Sequence, residues 1–309
     1  MKTVFMGTPD FAMMILDAMI KADLEIEYVF TQPDKARNRG KVTVTPVKAL
    51  ALEHGIEVIQ PEKVKGNEEV MDKLREYGPD IIVVAAYGQI IPKEILELPR
   101  FGCINVHASL LPKYRGASPI QHVILDGEKT SGVTIMQMAE GLDTGDMLSK
   151  AEINIEGMTA DVLHDELGKI GAELLVKTLP LIENGEITPE KQDDRLANYV
   201  GMIRKEDGRI DFENKTAEEI ERQVRAFDSW PGAFCKYNDA TMKIRGAEIC
   251  EGNSAKEPGC VIAVGPEGID VACKSGILRI TKLQMPGKKA MASDAFLRGN
   301  KIEIGTVLK

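Results

Sequence analysis

Apolar and polar positions in the first 150 residues fall into short apolar runs alternating with stretches of helical spacing. The runs are residues 3–6, 28–31, 56–59, 81–86, 103–107 and 133–138. Residues 81–86 carry no polar interruption before the run ends, the mark of a strand covered on both faces. Helical spacing fills the gaps. Residues 9–22 form one candidate helix, with Thr8 placed as an N-cap and Pro9 at the first helical position. Thr45-Pro46 opens another that stops at Gly55. Residues 67–77 and 118–125 supply two more. Such alternation predicts an α/β fold, a Rossmann-like doubly wound and mainly parallel sheet.

The pattern then changes. Residues 159–182 read as one long helix despite Gly168 and Gly171, and residues 184–205 are polar and weakly periodic. After a helix at 217–227 come short alternating segments at 233–237, 241–249, 259–264, 268–273 and 278–283, punctuated by glycine. They predict a small β-barrel or sandwich. The organisation expected is a first domain at 1–189, a linker at 190–206 and a second domain at 207–309.

Charge sharpens this division. The chain of 309 residues carries net −9, which argues against a generally basic nucleic-acid binder. The charge is unevenly spread. Residues 1–203 hold 21 Lys and Arg against 32 Asp and Glu; residues 204–309 hold 18 against 16. Inside the acidic part, Asp34-Lys35-Ala36-Arg37-Asn38-Arg39-Gly40-Lys41 concentrates four cations between a strand and a helix. Taken alone, that run reads as an exposed, solvated loop. The alternative is a finger that meets nucleic-acid phosphate. No apolar run approaches the roughly 18 residues of a membrane span, and no signal-peptide core is present. Five cysteines without a Cys-x-x-Cys pair and four scattered histidines predict neither disulfide nor metal site, as in a reducing cytoplasm.

In open parallel sheets, ligands bind beyond the carboxyl ends of the strands. The strand at 103–107 ends in Asn105-Val106-His107, and strand period two puts the amide and the imidazole on one face. His54 and His164 lie in charged helical contexts, as surface residues do, and His122 sits in the helix after the site. Gly141-Leu142-Asp143-Thr144-Gly145-Asp146 follows the strand at 133–138, near its carboxyl end. Two aspartates between glycines suit a plain turn. Beside Asn105 and His107 they suit acyl transfer instead: an amide to donate to a developing oxyanion, an imidazole and a carboxylate to handle protons. The connection from Ser109 to Pro119, with Tyr114, Lys113 and Arg115, would line a pocket for a planar anion or serve only as a long turn. Gly7-Thr8-Pro9-Asp10 stands where a dinucleotide fingerprint would be but retains one of its three glycines, which counts against NAD.

Asn105-Val106-His107, the adjoining Ser109-Leu110-Leu111-Pro112 and Gly141-Leu142-Asp143-Thr144-Gly145-Asp146 resemble the signature of the folate-dependent formyltransferases. Gly7-Thr8-Pro9-Asp10-Phe11-Ala12, Thr31-Gln32-Pro33-Asp34, and Arg225-Ala226-Phe227-Asp228-Ser229-Trp230-Pro231-Gly232 narrow the resemblance to the methionyl-tRNA formyltransferases, over essentially the whole chain. The resemblance implies a C-terminal OB-like barrel that helps bind tRNA. It implies 10-formyltetrahydrofolate as formyl donor, with no metal, and the amino group of methionine on initiator methionyl-tRNA as acceptor. Asn105, His107 and Asp143 match the catalytic trio, and Ser109, Leu110, Leu111 and Pro112 the folate-contact segment. Arg39 matches a loop arginine that reads the acceptor stem, with Lys35, Arg37 and Lys41 around it; Lys35 to Asn38 depart from the commoner Arg-Pro-Ala-Gly form. A cytoplasmic monomer is implied as well. Two other readings compete: a formyltransferase for a small amine such as an amino sugar nucleotide, and a non-enzymatic folate- or RNA-binding protein on the same scaffold.

Overall fold

The computed structural model describes residues 1–37 and 41–309, with the backbone alone for residues 35–37 and 41–42. They divide into two compact units. One joins Met1–Pro119, Thr130–Asn154 and His164–Val200; the other joins Ile120–Lys129, Ile155–Leu163 and Gly201–Lys309.

The strands of the first unit are β1 (Thr3–Gly7), β2 (Ile26–Phe30), β3 (Lys35–Arg37), β4 (Lys41–Thr43), β5 (Glu57–Ile59), β6 (Ile81–Ala85), β7 (Cys103–His107), β8 (Arg115–Gly116), β9 (Thr130–Gln137), β10 (Met147–Asn154) and β11 (Tyr199–Val200). The helices α1 (Asp10–Lys21), α2 (Pro46–Glu53), α3 (Glu68–Tyr77) and α4 (Lys93–Leu96) lie within it, while α5 (Pro119–Leu125) and α6 (Ala160–Glu183) run from one unit into the other. Seven strands make one sheet in the order β10-β9-β7-β6-β1-β2-β5. β5, β2, β1, β6 and β7 are parallel; β9 runs antiparallel to β7, and β10 to β9. Every residue of β1 and β6 is buried, which is why these runs hold no charged residue.

Helix boundaries follow local chemistry. The Thr45 hydroxyl accepts from the Lys48 N–H and Pro46 opens α2; Asn67 accepts from the Val70 N–H, and α3 stops at Gly78 with φ 60°. Thr8 does not cap α1, which starts after Pro9 without a side-chain bond. Its hydroxyl instead donates to the Tyr87 carbonyl (3.0 Å) and accepts from the Gln32 N–H (3.3 Å). Three adjacent strands end there with backbone groups to satisfy, and one hydroxyl ties the three segments that leave them. Gly171 of α6 faces Val106 and Val133, where a Cβ would come within 3.2 Å and 3.3 Å of their methyl groups. The helix thus packs closely on the face of β7 opposite Asn105 and His107.

The second unit contains α7 (Ala217–Ala226), β12 (Ala233–Tyr237), β13 (Ala240–Cys250), β14 (Val261–Gly265), β15 (Gly268–Ala272), β16 (Ile277–Gln284), β17 (Met291–Ala292) and α8 (Ser293–Leu297). Its antiparallel sheet has the order β12-β13-β16-β15-β14, with β17 on β16. Ile220 and Val224 of α7 join Met242, Ile244, Val271, Leu278, Ile280 and Leu283 in its core. Thr216 and Glu219 close a reciprocal capping box at the start of α7. No ladder joins β12 directly to β14. The segment 305–309 bonds to both edges: Lys309 exchanges backbone bonds with Lys236, while Gly305 and Leu308 donate to Val261 and Gly259. The expected barrel is therefore an antiparallel sheet whose two edges are bridged by the last residues of the chain.

Candidate active site

β7 carries Asn105 and His107 on one face, and its antiparallel neighbour presents Met136 opposite Asn105 and Thr134 opposite His107. Val106 turns to the other face, toward Gly171. The Asn105 side chain is half-buried, and its amide makes no hydrogen bond to the described residues. A carboxamide left unspent beside a buried strand end is a donor held in reserve.

His107 is buried, with a 6% exposed side chain. Its Nε2 lies 3.0 Å from the Tyr114 carbonyl oxygen. A carbonyl only accepts, so Nε2 carries hydrogen and Nδ1 is the nitrogen turned to the site. Asp143 Oδ2 stands 3.8 Å from that Nδ1, too far for a direct hydrogen bond. The same Oδ2 accepts from the Gly116 N–H at 2.8 Å. Asp143 Oδ1 makes no hydrogen bond to the described residues.

Asp143 reaches His107 by a different route from the one its sequence position suggests. β9 runs antiparallel to β7, so its carboxyl end lies at Ile104, opposite the end that His107 marks. The hairpin segment 138–146 turns back along the strand and brings the carboxylate to the imidazole. Residue Asp143 sits at φ 53°, in the left-handed region that side chains other than glycine seldom adopt. Gly145 beside it has no room for a Cβ, which would overlap the Gln137 carbonyl.

The loop after β7 is mostly internal structure. The Ser109 hydroxyl donates to the Lys113 carbonyl (2.7 Å), and the Ser109 carbonyl accepts from Thr134 (2.7 Å). Leu111 is buried with Met136 and Met147, and its N–H donates to Thr134 Oγ1 (3.1 Å). Leu110 and Pro112 are half-buried and remain reachable. Arg115 is 2% exposed, and its guanidinium is engaged by Gln192, Asp194 and Tyr199, residues with which it lines one cavity. His54 is exposed at the end of α2, and His164 pairs with Asp165 at 3.0 Å.

The basic run is not an irregular loop where its backbone is described. β3 pairs antiparallel with β4, Lys35 opposite Thr43 and Arg37 opposite Lys41. Arg39 lies outside the described residues, as do the side chains of Lys35, Arg37 and Lys41. The base of the hairpin is anchored by Asp34, which accepts from Lys48 Nζ (2.5 Å) and Gln60 Nε2 (2.9 Å). The Lys48 ammonium, then the Gln60 amide, hold the Asp34 carboxyl below the ordinary carboxylate range. Among the described residues no group of three His, Cys, Asp or Glu is placed to hold a metal ion, and no helix is long and apolar enough to cross a membrane.

Comparison with known proteins places this geometry. The formyl transferase family pattern matches residues 1–179, and the formyl transferase C-terminal domain pattern matches residues 202–301. The methionyl-tRNA formyltransferase of Clostridium novyi (strain NT) is 50% identical over 311 residues, covering all of both chains. Among solved structures, an N-formyltransferase from Helicobacter canadensis, in complex with folinic acid and dTDP-3-aminofucose, matches with a TM-score of 0.69 at 21% identity, over 92% of this chain and 99% of that one. HypX from Aquifex aeolicus, in complex with tetrahydrofolic acid, matches with a TM-score of 0.64 at 19% identity, over 99% of this chain and 50% of that one. This chain thus spans about half the length of HypX, and at these identities both structures speak for the fold alone. With both domain patterns matched and half of all residues shared across its full length, the chain belongs to the formyl transferase family, among the methionyl-tRNA formyltransferases.

Proposed function

We infer that this chain transfers a formyl group from 10-formyltetrahydrofolate to the amino group of methionine carried by initiator methionyl-tRNA. One observation carries the reading: 50% identity that extends through both units to the methionyl-tRNA formyltransferase of Clostridium novyi. Likeness of fold alone would leave the acceptor open, because a sugar 3N-formyl transferase shares the fold over 94% of this chain.

The site suits this donor. An unspent amide, a histidine–aspartate pair and half-buried apolar residues fit a flat heteroaromatic molecule with one carbonyl to polarise. When bound, 10-formyltetrahydrofolate supplies the formyl carbon. Asn105 donates its amide hydrogen where negative charge builds on the formyl oxygen. His107, with Nε2–H committed to the Tyr114 carbonyl, works through Nδ1. As the amine bonds to the formyl carbon, Asp143 takes the amine's proton on its open Oδ1; the formyl C–N10 bond then breaks and N10 of the departing tetrahydrofolate receives a proton from the same carboxylate, while Gly116 keeps Oδ2 beside the imidazole. Leu110 and Pro112 supply apolar contact for the folate; Ser109 and Leu111 shape the loop that presents them.

Arg39, with Lys35, Arg37 and Lys41, meets the acceptor stem of the tRNA, and the domain at 207–309 holds its body. A monomer in the cytoplasm rests on the family resemblance alone. The deciding experiment offers the purified protein 10-formyltetrahydrofolate with charged initiator tRNA or, separately, with an amino sugar nucleotide. Formylation of the tRNA alone is expected. Formylation of the sugar alone, or of neither, overturns the reading.

A further inference from the structure

Residues 190–200, part of the stretch read from sequence as a linker, are bonded at positions 190, 192, 194 and 198–200 to the segments 114–117 and 143–147. Glu190 exchanges backbone bonds with Met147 (2.8 and 2.9 Å), and β11 pairs with β8. Asn198 accepts from the Arg115 N–H through its carbonyl (3.0 Å) and from the Tyr114 N–H through its side chain (2.5 Å). Tyr114 is the residue whose carbonyl holds His107.

Gln192 lies at the centre. Its Nε2 donates to the Asp143 carbonyl (2.8 Å) and to the Gly145 carbonyl (2.7 Å). Its Oε1 accepts from Arg115 Nε (2.9 Å). The rest of that buried guanidinium is committed to Tyr199 Oη (3.0 Å) and Asp194 Oδ1 (2.8 Å). Two carbonyls must receive hydrogens and one guanidinium must give one. A primary amide does both; a carboxylate cannot donate, and a lysine or arginine cannot accept. Asp143 also sits in the left-handed region, a conformation that surrounding bonds must hold. Gly116 fixes its carboxylate and Gln192 fixes its backbone, and both anchors belong to or are oriented by the Arg115 segment.

We propose that Gln192 is a positioning residue for formyl transfer: oriented by buried Arg115, it locks the backbone at Asp143 and so aims that carboxylate at His107. The proposal rests on the proton-handling role of Asp143 in the reading above. Q192E is the direct test. It preserves size and an acceptor for Arg115 but removes both donated bonds. A misplacement of about 1 Å at a catalytic group costs up to ~10²-fold. With 10-formyltetrahydrofolate and methionyl-tRNA, Q192E is therefore expected to lower kcat by about 10–100-fold with little change in either KM. In a D143A background the same substitution should add less than about twofold, because it acts through the missing carboxylate.

A wild-type kcat for Q192E, a loss expressed only in KM, or a full multiplicative loss on top of D143A overturns the proposal. Should Q192E fail to fold by circular dichroism and thermal melting, Q192M is judged by the same criteria. Failure of both to fold overturns it too, because the bond would then hold the fold rather than the site. Absence of methionyl-tRNA formylation by the unsubstituted protein would sink the functional reading instead, before any variant is compared.

Discussion

At the scale of single residues, the site divides into side chains whose hydrogen bonds are spent and those left open. Ser109, Leu111 and Arg115 are consumed by the protein itself, whereas the Asn105 amide and Asp143 Oδ1 are not. The first group shapes the site, and the second is left open to a bound molecule. Asn105→Ala should leave the thermal midpoint nearly unchanged, since no internal bond is removed, while kcat falls by ~10²–10³ as for other oxyanion donors. Asp143→Ala should cost ~10²–10⁴ in kcat as an acid–base group does. Single-turnover formylation by the purified variants reads both, and near-normal rates in either would remove that residue from the mechanism. Asn105 and His107 were legible in the sequence because strand period two is enough to pair them. The tautomer of His107 was not: the Tyr114 carbonyl that decides it is seven residues away, across a loop whose course the sequence does not show.

At the scale of elements, the decisive feature is the two-residue ladder between β8 and β11. Gly116 has φ 111°, and a Cβ there would overlap the Val200 carbonyl, which is backbone and has no side chain to swing aside. Gly116 also donates to Asp143. Gly116→Ala should therefore destabilise the protein by about 1–3 kcal/mol through backbone strain alone and lower kcat as well. Thermal denaturation alongside the formylation assay tests the pair of effects; a stable, fully active variant would show that the ladder does not govern the site. Most elements were visible in the sequence. α2 and α3 declare themselves by Thr45-Pro46 and by Asn67 with Gly78, and the five glycine-punctuated segments correspond to β12 to β16. What stayed hidden was strand direction. The apolar run at 133–138 reads the same whether it lies parallel or antiparallel, because side-chain alternation carries no sign. Hence the sequence placed Asp143 near His107, as the structure does, but by the wrong path.

At the scale of the molecule, the uneven charge acquires a meaning. A protein of net −9 does not bind polyanions indiscriminately, yet one short segment of the sequence concentrates Lys35, Arg37, Arg39 and Lys41 in its acidic part. The base of the β3–β4 hairpin is pinned by Asp34, Lys48 and Gln60. Arg39→Ala should impair transfer to tRNA while folate affinity is retained. The slope of log affinity against log salt should shrink by about 0.7–0.9 for each phosphate that the variant no longer neutralises. Titrations of tRNA at several salt concentrations measure it, and an unchanged slope would return the hairpin to an ordinary solvated ribbon.

The sequence by itself determined the two-part organisation, the α/β character of the first part, the family, and the residue types at Asn105, His107 and Asp143. These rest on periodicity, on caps and glycines that act within a few residues, and on short motifs. Only the tertiary structure decided that β9 runs antiparallel to β7, that Thr8 ties three strand ends instead of capping a helix, and that Arg115 is buried against Gln192, Asp194 and Tyr199. The same holds for Gln192, which stands 49 residues from the carbonyl of Asp143 that it holds. Such pairings join groups distant in the chain, and no local propensity records which buried donor will find which acceptor.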